Sequence, residues 1–480
     1  MAETSTIAGL DYRAHDALSL AELVRKKEVT PAELLDEAIT RSDAQDKRLN
    51  FIAQDMQEYG RQKAAGNAPA GPFGGVPFLV KDLNMHIPGH RSGQGSRLYD
   101  GYVPDVKSEL VKRMEAAGLV IFGKTTTPEF GLTGTTESIV TGATRNPWNL
   151  DHSSGGSSGG ASSAVAAGVV PMAHASDGGG SIRIPASACG LFGMKPSRGR
   201  IPLGPPRTEG WGGMSTNGAV SRSVRDSAAM MDATHGAEPG ARYGAPTPEK
   251  SFLFSASRDP TPLRIALMTS PVAGTPVGSE VVEAVQRSAK LCESLGHHVE
   301  EASPQPSITG MGEANFALIS TALAADLDMR AAAAGVEIGP DVLEPVTLGF
   351  YHMGKQFTGL DVAAANVTMQ ELAMQVAAFM QDYDIILSPV MAEPPAKLGI
   401  YDLNKTDVDA WGQAISAYIP FTGMFNATGQ PSMSVPLEMS EGGLPLGSMF
   451  TGRYGDEALL FSLAGQLERA APWFDRIPEV

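Results

Sequence analysis

The chain has 480 residues, 42% of them hydrophobic and 19% charged, enough to bury a sizeable core in one large domain or roughly two to three ordinary ones. A formal net charge of −16 argues against a nucleic-acid surface or an anionic membrane as a direct partner. Two cysteines, Cys189 and Cys292, cannot build a disulfide framework and read as small buried hydrophobes in a reducing compartment.

The opening residues, MAETSTIAGLDYRAHDAL, lack a basic stretch followed by an apolar one. No run reaches the roughly 18 apolar residues of a membrane-spanning helix. The sequence therefore reads as cytoplasmic. Two helices follow, with capping boxes predicted at Ser19-Leu-Ala-Glu22 and Thr30-Pro-Ala-Glu33. "GGVPFLVKDL" reads as a buried strand with Lys81 near its end, Asp105 to Gly118 as a helix with a glycine stop, and "LVIFGKT" as another strand. From Asn146 to Gly160, "NPWNLDHSSGGSSGG" has the composition of a flexible linker. Ordered elements on both sides point instead to glycines that let backbones approach closely. "ASSAVAAGVVPMAHA" is then a small-residue helix running into a strand, which ends at "HASDGGGSIRIPASACG", His174 to Gly190. The two serine-glycine segments flank one helix–strand unit and are expected to meet in space.

Leu263 to Ala302 reads as a further α/β unit, and residues 303–380 as helical. "YDIILSPVM" is a buried strand, "GQPSMSVPLEMSEGGLPLGSMFTG" two strands joined by a turn, and Asp456 to Arg469 a closing helix. Such alternation predicts an α/β fold with a mixed, mostly buried central sheet. No repeat or domain boundary interrupts residues 1–480; residues 235–262 read as a loop between subregions.

The chain lacks Cys-x-x-Cys, His-Glu-x-x-His and any Asp-rich loop of metal spacing, so no metal or cofactor is implied. "DGGGS" lacks the lysine of a phosphate-binding loop, and Gly-x-Ser-x-Gly fails at Arg183. His174, on an apolar strand, reads as a satisfied structural side chain. Serine, lysine and glycine remain. A serine hydroxyl needs a base, and lysine serves only when neutral, a form that burial favours. Lys81 follows the apolar run Val76 to Val80, although taken alone it reads more simply as a surface lysine at a strand end. Consecutive glycines before Ser181 suit backbone N–H groups turned toward an oxyanion.

Lys81 in "VKD", Ser157 in "GGSSGG" and Ser181 in "SDGGGSIRIPASACG" together resemble the amidase signature family, as do "NPW", "GKTTTPEFG", "KPSRGRIP" and "GQPSMSVPL…GLPLG". The resemblance implies one α/β/α domain over 1–480, built on a large twisted mixed sheet with helices on both faces and a catalytic region at 70–220. It also implies a serine–cis-serine–lysine triad: Ser181 the nucleophile, Ser157 (rather than Ser158) the bridge, Lys81 the base. Gly178, Gly179, Gly180 and the Ser181 amide take the oxyanion-hole positions. Asp177 and Arg183 hold the loop, and Ser154 fills it.

The implied activity is hydrolysis of the C–N bond of a small-molecule amide, aryl or aliphatic, with carbamates (urethanes), esters and cyclic oligoamides of nylon type within reach. Gly131, Leu132 and the 203–217 loop "LGPPRTEGWGGMSTN" would wall the pocket, the loop being either a mobile lid gated by Arg207 or a plain surface loop. The alternative is the glutamine-hydrolysing subunit of a tRNA-dependent amidotransferase, which reads "SDTGGSIRQPA" where this chain has Ile184. A binding or scaffold role without catalysis is disfavoured, because all three triad positions are intact. The implied partner is the small-molecule substrate; monomer and homodimer both stay open.

Overall fold

Apolar runs become strands wherever both faces of the backbone can be covered. The computed structural model describes residue 7 and residues 10–66, 70–306 and 310–479. Most of the opening stretch read for a targeting signal, residues 1–6 and 8–9, lies outside the described residues. Eleven strands form the central sheet: β1 (Ile52–Asp55), β2 (Pro77–Lys81), β3 (Val120–Thr125), β4 (Met172–Asp177), β5 (Phe192–Lys195), β6 (Thr216–Ser221), β7 (Arg264–Leu267), β8 (His298–Glu301), β9 (Ile385–Pro389), β10 (Ser432–Met439) and β11 (Pro445–Thr451). Their order is β1-β3-β2-β4-β6-β5-β10-β11-β9-β7-β8. The sheet is mixed. β3, β2 and β4 run parallel, as do β9, β7 and β8, while β6, β5, β10 and β11 are joined by antiparallel ladders.

Side chains of successive strand residues leave opposite faces of a sheet, so an apolar run feeds two layers at once. Phe78 and Val80 of β2 join one core with the helices Ala17–Arg25, Val224–Thr234 and Glu457–Ala470. Leu79, between them, joins a second core with the helices Pro31–Leu49, Gly159–Ala166 and Arg183–Cys189. The same alternation recurs in β9, where Ile385 and Leu387 face one way and Ile386 the other. That second direction meets the helices Met311–Ala334, Pro345–Gly354, Gly359–Phe379 and Val408–Tyr418. Helices therefore cover both faces, giving the α/β fold.

The Thr30 capping box forms with Pro31 in the first turn. The box predicted at Ser19 does not. The helix starts earlier, on Asp16, whose carboxylate accepts the Ser19 amide at 3.0 Å. Aspartate caps as well as serine does, and this one is further held by Ser223 and Arg225.

Residues 146–160 are no linker. Arg145–Asn146 and Asn149–Ser153 pair as a small hairpin, and every residue of the helix Gly159–Ala166 is buried. A Cβ on Gly156 would lie 2.3 Å from the Thr135 carbonyl oxygen, and one on Gly160 only 2.6 Å from the Thr126 amide nitrogen. These glycines admit neighbouring backbone. Among the described residues no helix is long and apolar enough to cross a membrane.

Candidate active site

Lys81 closes β2, and its parallel neighbour β4 ends at Asp177, so both strands deliver their carboxyl ends to the same edge of the sheet. That edge is where open α/β sheets hold ligands. The Lys81 side chain is fully buried. Its Nζ lies 2.8 Å from Ser157 Oγ and 3.1 Å from Ser176 Oγ. Burial brings the Lys81 pKa down to about 7, against the opposing pull of the Asp177 charge. The neutral amine is thus within reach at ordinary pH, and a neutral amine has a lone pair to accept a proton.

The backbone at Lys81 is also fixed. Its N–H donates to His174 Nδ1 at 3.2 Å, and His174 Nε2 lies 3.2 Å from Asn217 Oδ1. Because the Asn217 amide already donates to the Pro202 carbonyl, Nε2 carries the imidazole proton. Burial lowers the His174 pKa to about 3, which keeps the ring neutral. The histidine is a satisfied structural side chain, as its sequence setting suggested.

The Gly156–Ser157 peptide is cis. Thr136 Oγ1 donates to the Gly155 carbonyl and accepts from the Gly159 amide, spanning the turn around Ser157. Ser158 Oγ donates to the Ser176 carbonyl at 3.2 Å, and a Cβ on Gly155 would touch Pro185, so the two serine-glycine segments do meet. Ser154 donates to the Thr144 carbonyl inside the same loop.

Asp177 organises the second segment. Its carboxylate accepts the Gly180 amide at 2.7 Å, the Ile182 amide at 3.1 Å, two guanidinium N–H groups of Arg183 at 3.0 Å each, and Asn426 Nδ2 at 2.8 Å. Burial works against its ionisation, but the Arg183 charge and these donors hold the carboxyl well below the usual carboxylate range. Arg183 donates onward to the Thr422 carbonyl and to Asn426 Oδ1. Thr422 Oγ1 donates to the Gly179 carbonyl at 2.6 Å.

Ser181, Gly178 and Gly179 are partly exposed at the end of this turn. With the Gly180 amide engaged by Asp177, the Gly178, Gly179 and Ser181 amides donate to no protein acceptor among the described residues. The structure brings Lys81 and Ser157 into hydrogen-bond contact. It sets Ser181 on the adjoining turn, with no hydrogen bond to either among the described residues.

Of the expected wall residues, Gly131 lies against the site: a Cβ there would stand 2.9 Å from Ser157 Oγ. Leu132 is half-buried beside it. Arg207 is exposed and ion-paired with Asp326 on the helix Met311–Ala334. The 203–217 loop is stitched down along its length. The amides of Leu203 and Gly204 donate to Glu238, Arg198 holds the Gly213 carbonyl, and the Trp211 ring lies over Gly178. Sequence reasoning missed Ser176, Thr422 and Asn426. Ser176 lay within the quoted motif, whereas the other two carried no local signal.

Residues 33–461 match the family model described as Amidase. The chain is 36% identical over 481 residues to the 6-aminohexanoate-cyclic-dimer hydrolase of Paenarthrobacter ureafaciens, covering 97% of this chain and 96% of that protein. It superposes on a structure of 6-aminohexanoate cyclic dimer hydrolase complexed with substrate with a TM-score of 0.93, at 35% identity, covering 98% and 99% of the two chains. A bacterial aryl acylamidase of the amidase signature family is similar at TM-score 0.89 and 27% identity, with 97% and 98% covered.

Proposed function

The chain belongs to the Amidase family and is an amide-hydrolysing enzyme, and from that premise we propose that it cleaves the C–N bond of small-molecule amides through an acyl-enzyme on Ser181. The observation that carries this reading is the buried 2.8 Å contact between Lys81 and Ser157 beneath the turn that presents Ser181. Neutral Lys81 takes the proton of Ser157 as Ser157 takes that of Ser181. The Ser181 oxygen attacks the carbonyl carbon, and the C=O electron pair moves onto oxygen. Of the turn Gly178-Gly179-Gly180-Ser181, the amides of Gly178, Gly179 and Ser181, free of protein acceptors among the described residues, are the donors available to that oxyanion. One such donor contributes about 3 kcal/mol to transition-state stabilisation. As the C–N bond breaks, Ser157 returns a proton to the departing amine and is re-protonated by Lys81. Water then enters by the reverse relay, breaks the ester and restores Ser181.

Likeness to a cyclic-dimer hydrolase and to an aryl acylamidase supports cyclic oligoamides and aryl amides as the first substrates to try. Esters follow because they leave the same acyl ester on serine, and carbamates because attack at their carbonyl with loss of the amine leaves a serine-bound carbonate that water can hydrolyse. Gly131 and Leu132 wall the approach to Ser157, and Arg207 stands on the rim. One domain over 1–480, a catalytic region at 70–220, and a cytoplasmic setting suited to two buried, unpaired cysteines complete the reading. The net charge of −16 supports the absence of a nucleic-acid partner.

A fluorophosphonate probe followed by peptide mapping tests it. The expected result is one adduct, on Ser181, with turnover lost; Ser181→Ala should lower kcat by about 10⁴-fold or more. An adduct elsewhere, or a Ser181→Ala enzyme that still turns over, overturns the assignment. A panel of anilide, aliphatic amide, carbamate and cyclic oligoamide then fixes the substrate class.

A further inference from the structure

The Gly179–Gly180 peptide is held at both ends. Its carbonyl accepts from Thr422 Oγ1 at 2.6 Å, and its N–H donates to Asp177 Oδ1 at 2.7 Å. A planar peptide bonded on both sides cannot swing about the line joining its Cα atoms. Between glycines that swing would otherwise be easy, since no Cβ restricts either residue. It would also exchange the directions of C=O and N–H, turning a carbonyl oxygen toward the side where a donor now stands.

We propose that Thr422 is a positioning residue for hydrolysis: its hydroxyl locks the Gly179–Gly180 peptide and thereby aims the flanking Gly179 and Ser181 amides at the substrate carbonyl. Three observations join here. Gly180 has φ 137°, and a Cβ on it would meet Thr422 Oγ1 at 2.4 Å and Ile184 Cδ1 at 2.6 Å, so a side chain here would displace that hydroxyl. Thr422 is fully buried and is itself placed by the loop-holding pair, because its carbonyl accepts from Arg183 Nη1 at 3.0 Å. Four residues on, Asn426 bridges the same Arg183 and Asp177 at 2.6 and 2.8 Å. The segment carrying Thr422 and Asn426 is therefore keyed to the nucleophile turn through two side chains, and only the threonine hydroxyl reaches the peptide between the glycines.

The role rests on Ser181 being the nucleophile, and the test separates the two. Thr422→Val keeps the shape of the side chain and removes its donor; Thr422→Ser restores the donor. For anilide hydrolysis, Thr422→Val should lower kcat roughly 10- to 100-fold, the scale of a small misplacement of reacting groups, with KM within about twofold. Thr422→Ser should recover kcat to within about threefold of wild type. The melting temperature of either variant should move by no more than about 4 °C. Should valine prevent folding, Thr422→Ala gives the same comparison. Wild-type kcat in the folded valine variant, or a serine variant as impaired as the valine one, overturns the positioning role. If the wild-type enzyme carries its fluorophosphonate adduct elsewhere than Ser181, the reading beneath it fails instead.

Discussion

Two glycine-rich segments build this site, and they use glycine for opposite reasons. In residues 153–160 the glycines are buried, and an added Cβ on Gly156, Gly159 or Gly160 would meet an atom within 2.6 Å. Glycine there is a packing requirement that lets Ser157 be pressed against Lys81. In residues 177–181 the turn is partly exposed, and a Cβ on Gly179 would find no atom within 4 Å. Glycine there leaves amides uncovered. One segment presents a hydroxyl to Lys81, and the other leaves amides without a protein acceptor among the described residues.

Removing Lys81, the proposed base, should break the first half of that contrast most severely. Lys81→Met should lower kcat about 10³-fold, within the range for a lost general base. In the wild-type enzyme kcat/KM should rise with pH through about 7, because Lys81, its pKa lowered by burial, is protonated and inactive below that point and neutral above it. A profile that is flat between pH 6 and 8 (roughly one unit either side of that pKa) would dismiss the lysine base. Next in size is Gly156→Ala, which forces a methyl into the Thr135 carbonyl and should destabilise the fold by about 3 kcal/mol or more, read as thermal or urea unfolding. Least disruptive is Gly179→Ala. Its stability should stay within about 1 kcal/mol of wild type while kcat/KM drops about tenfold, as the methyl enters the space before the turn. Equal loss of stability in the two alanine variants would erase the distinction.

Much of the fold was legible in the sequence because strands buried on both faces leave continuous apolar runs, such as Pro77 to Lys81 and Ile385 to Pro389. The serine-glycine segments were legible because few other uses put so many glycines between ordered elements. Lysines are harder to tell apart. "LVK" and "FGK" both end apolar stretches, and Lys81 and Lys124 are both fully buried. Lys124 donates to the carbonyls of Met85 and Arg91 and faces the Asp82 carboxylate, all acceptors with no proton to give. Lys81 faces two hydroxyls, which can donate. Nothing near either lysine in sequence encodes that difference. Arg207 shows the converse limit: its side chain looks free to gate an entrance, yet its counter-charge, Asp326, lies on a helix more than a hundred residues later.

Thr422 and Asn426 reach the Ser181 turn from more than 240 residues further along the chain. Polypeptides are made from the N-terminus, so Lys81, Ser157 and Ser181 leave the ribosome long before the two side chains that brace them exist. On this arrangement a half-made chain would hold Ser181, the proposed nucleophile, on an unbraced turn. Under the proposed roles, hydrolytic competence would wait for the last stage of synthesis, and a prematurely terminated product would carry the serines and lysine without the alignment to use them.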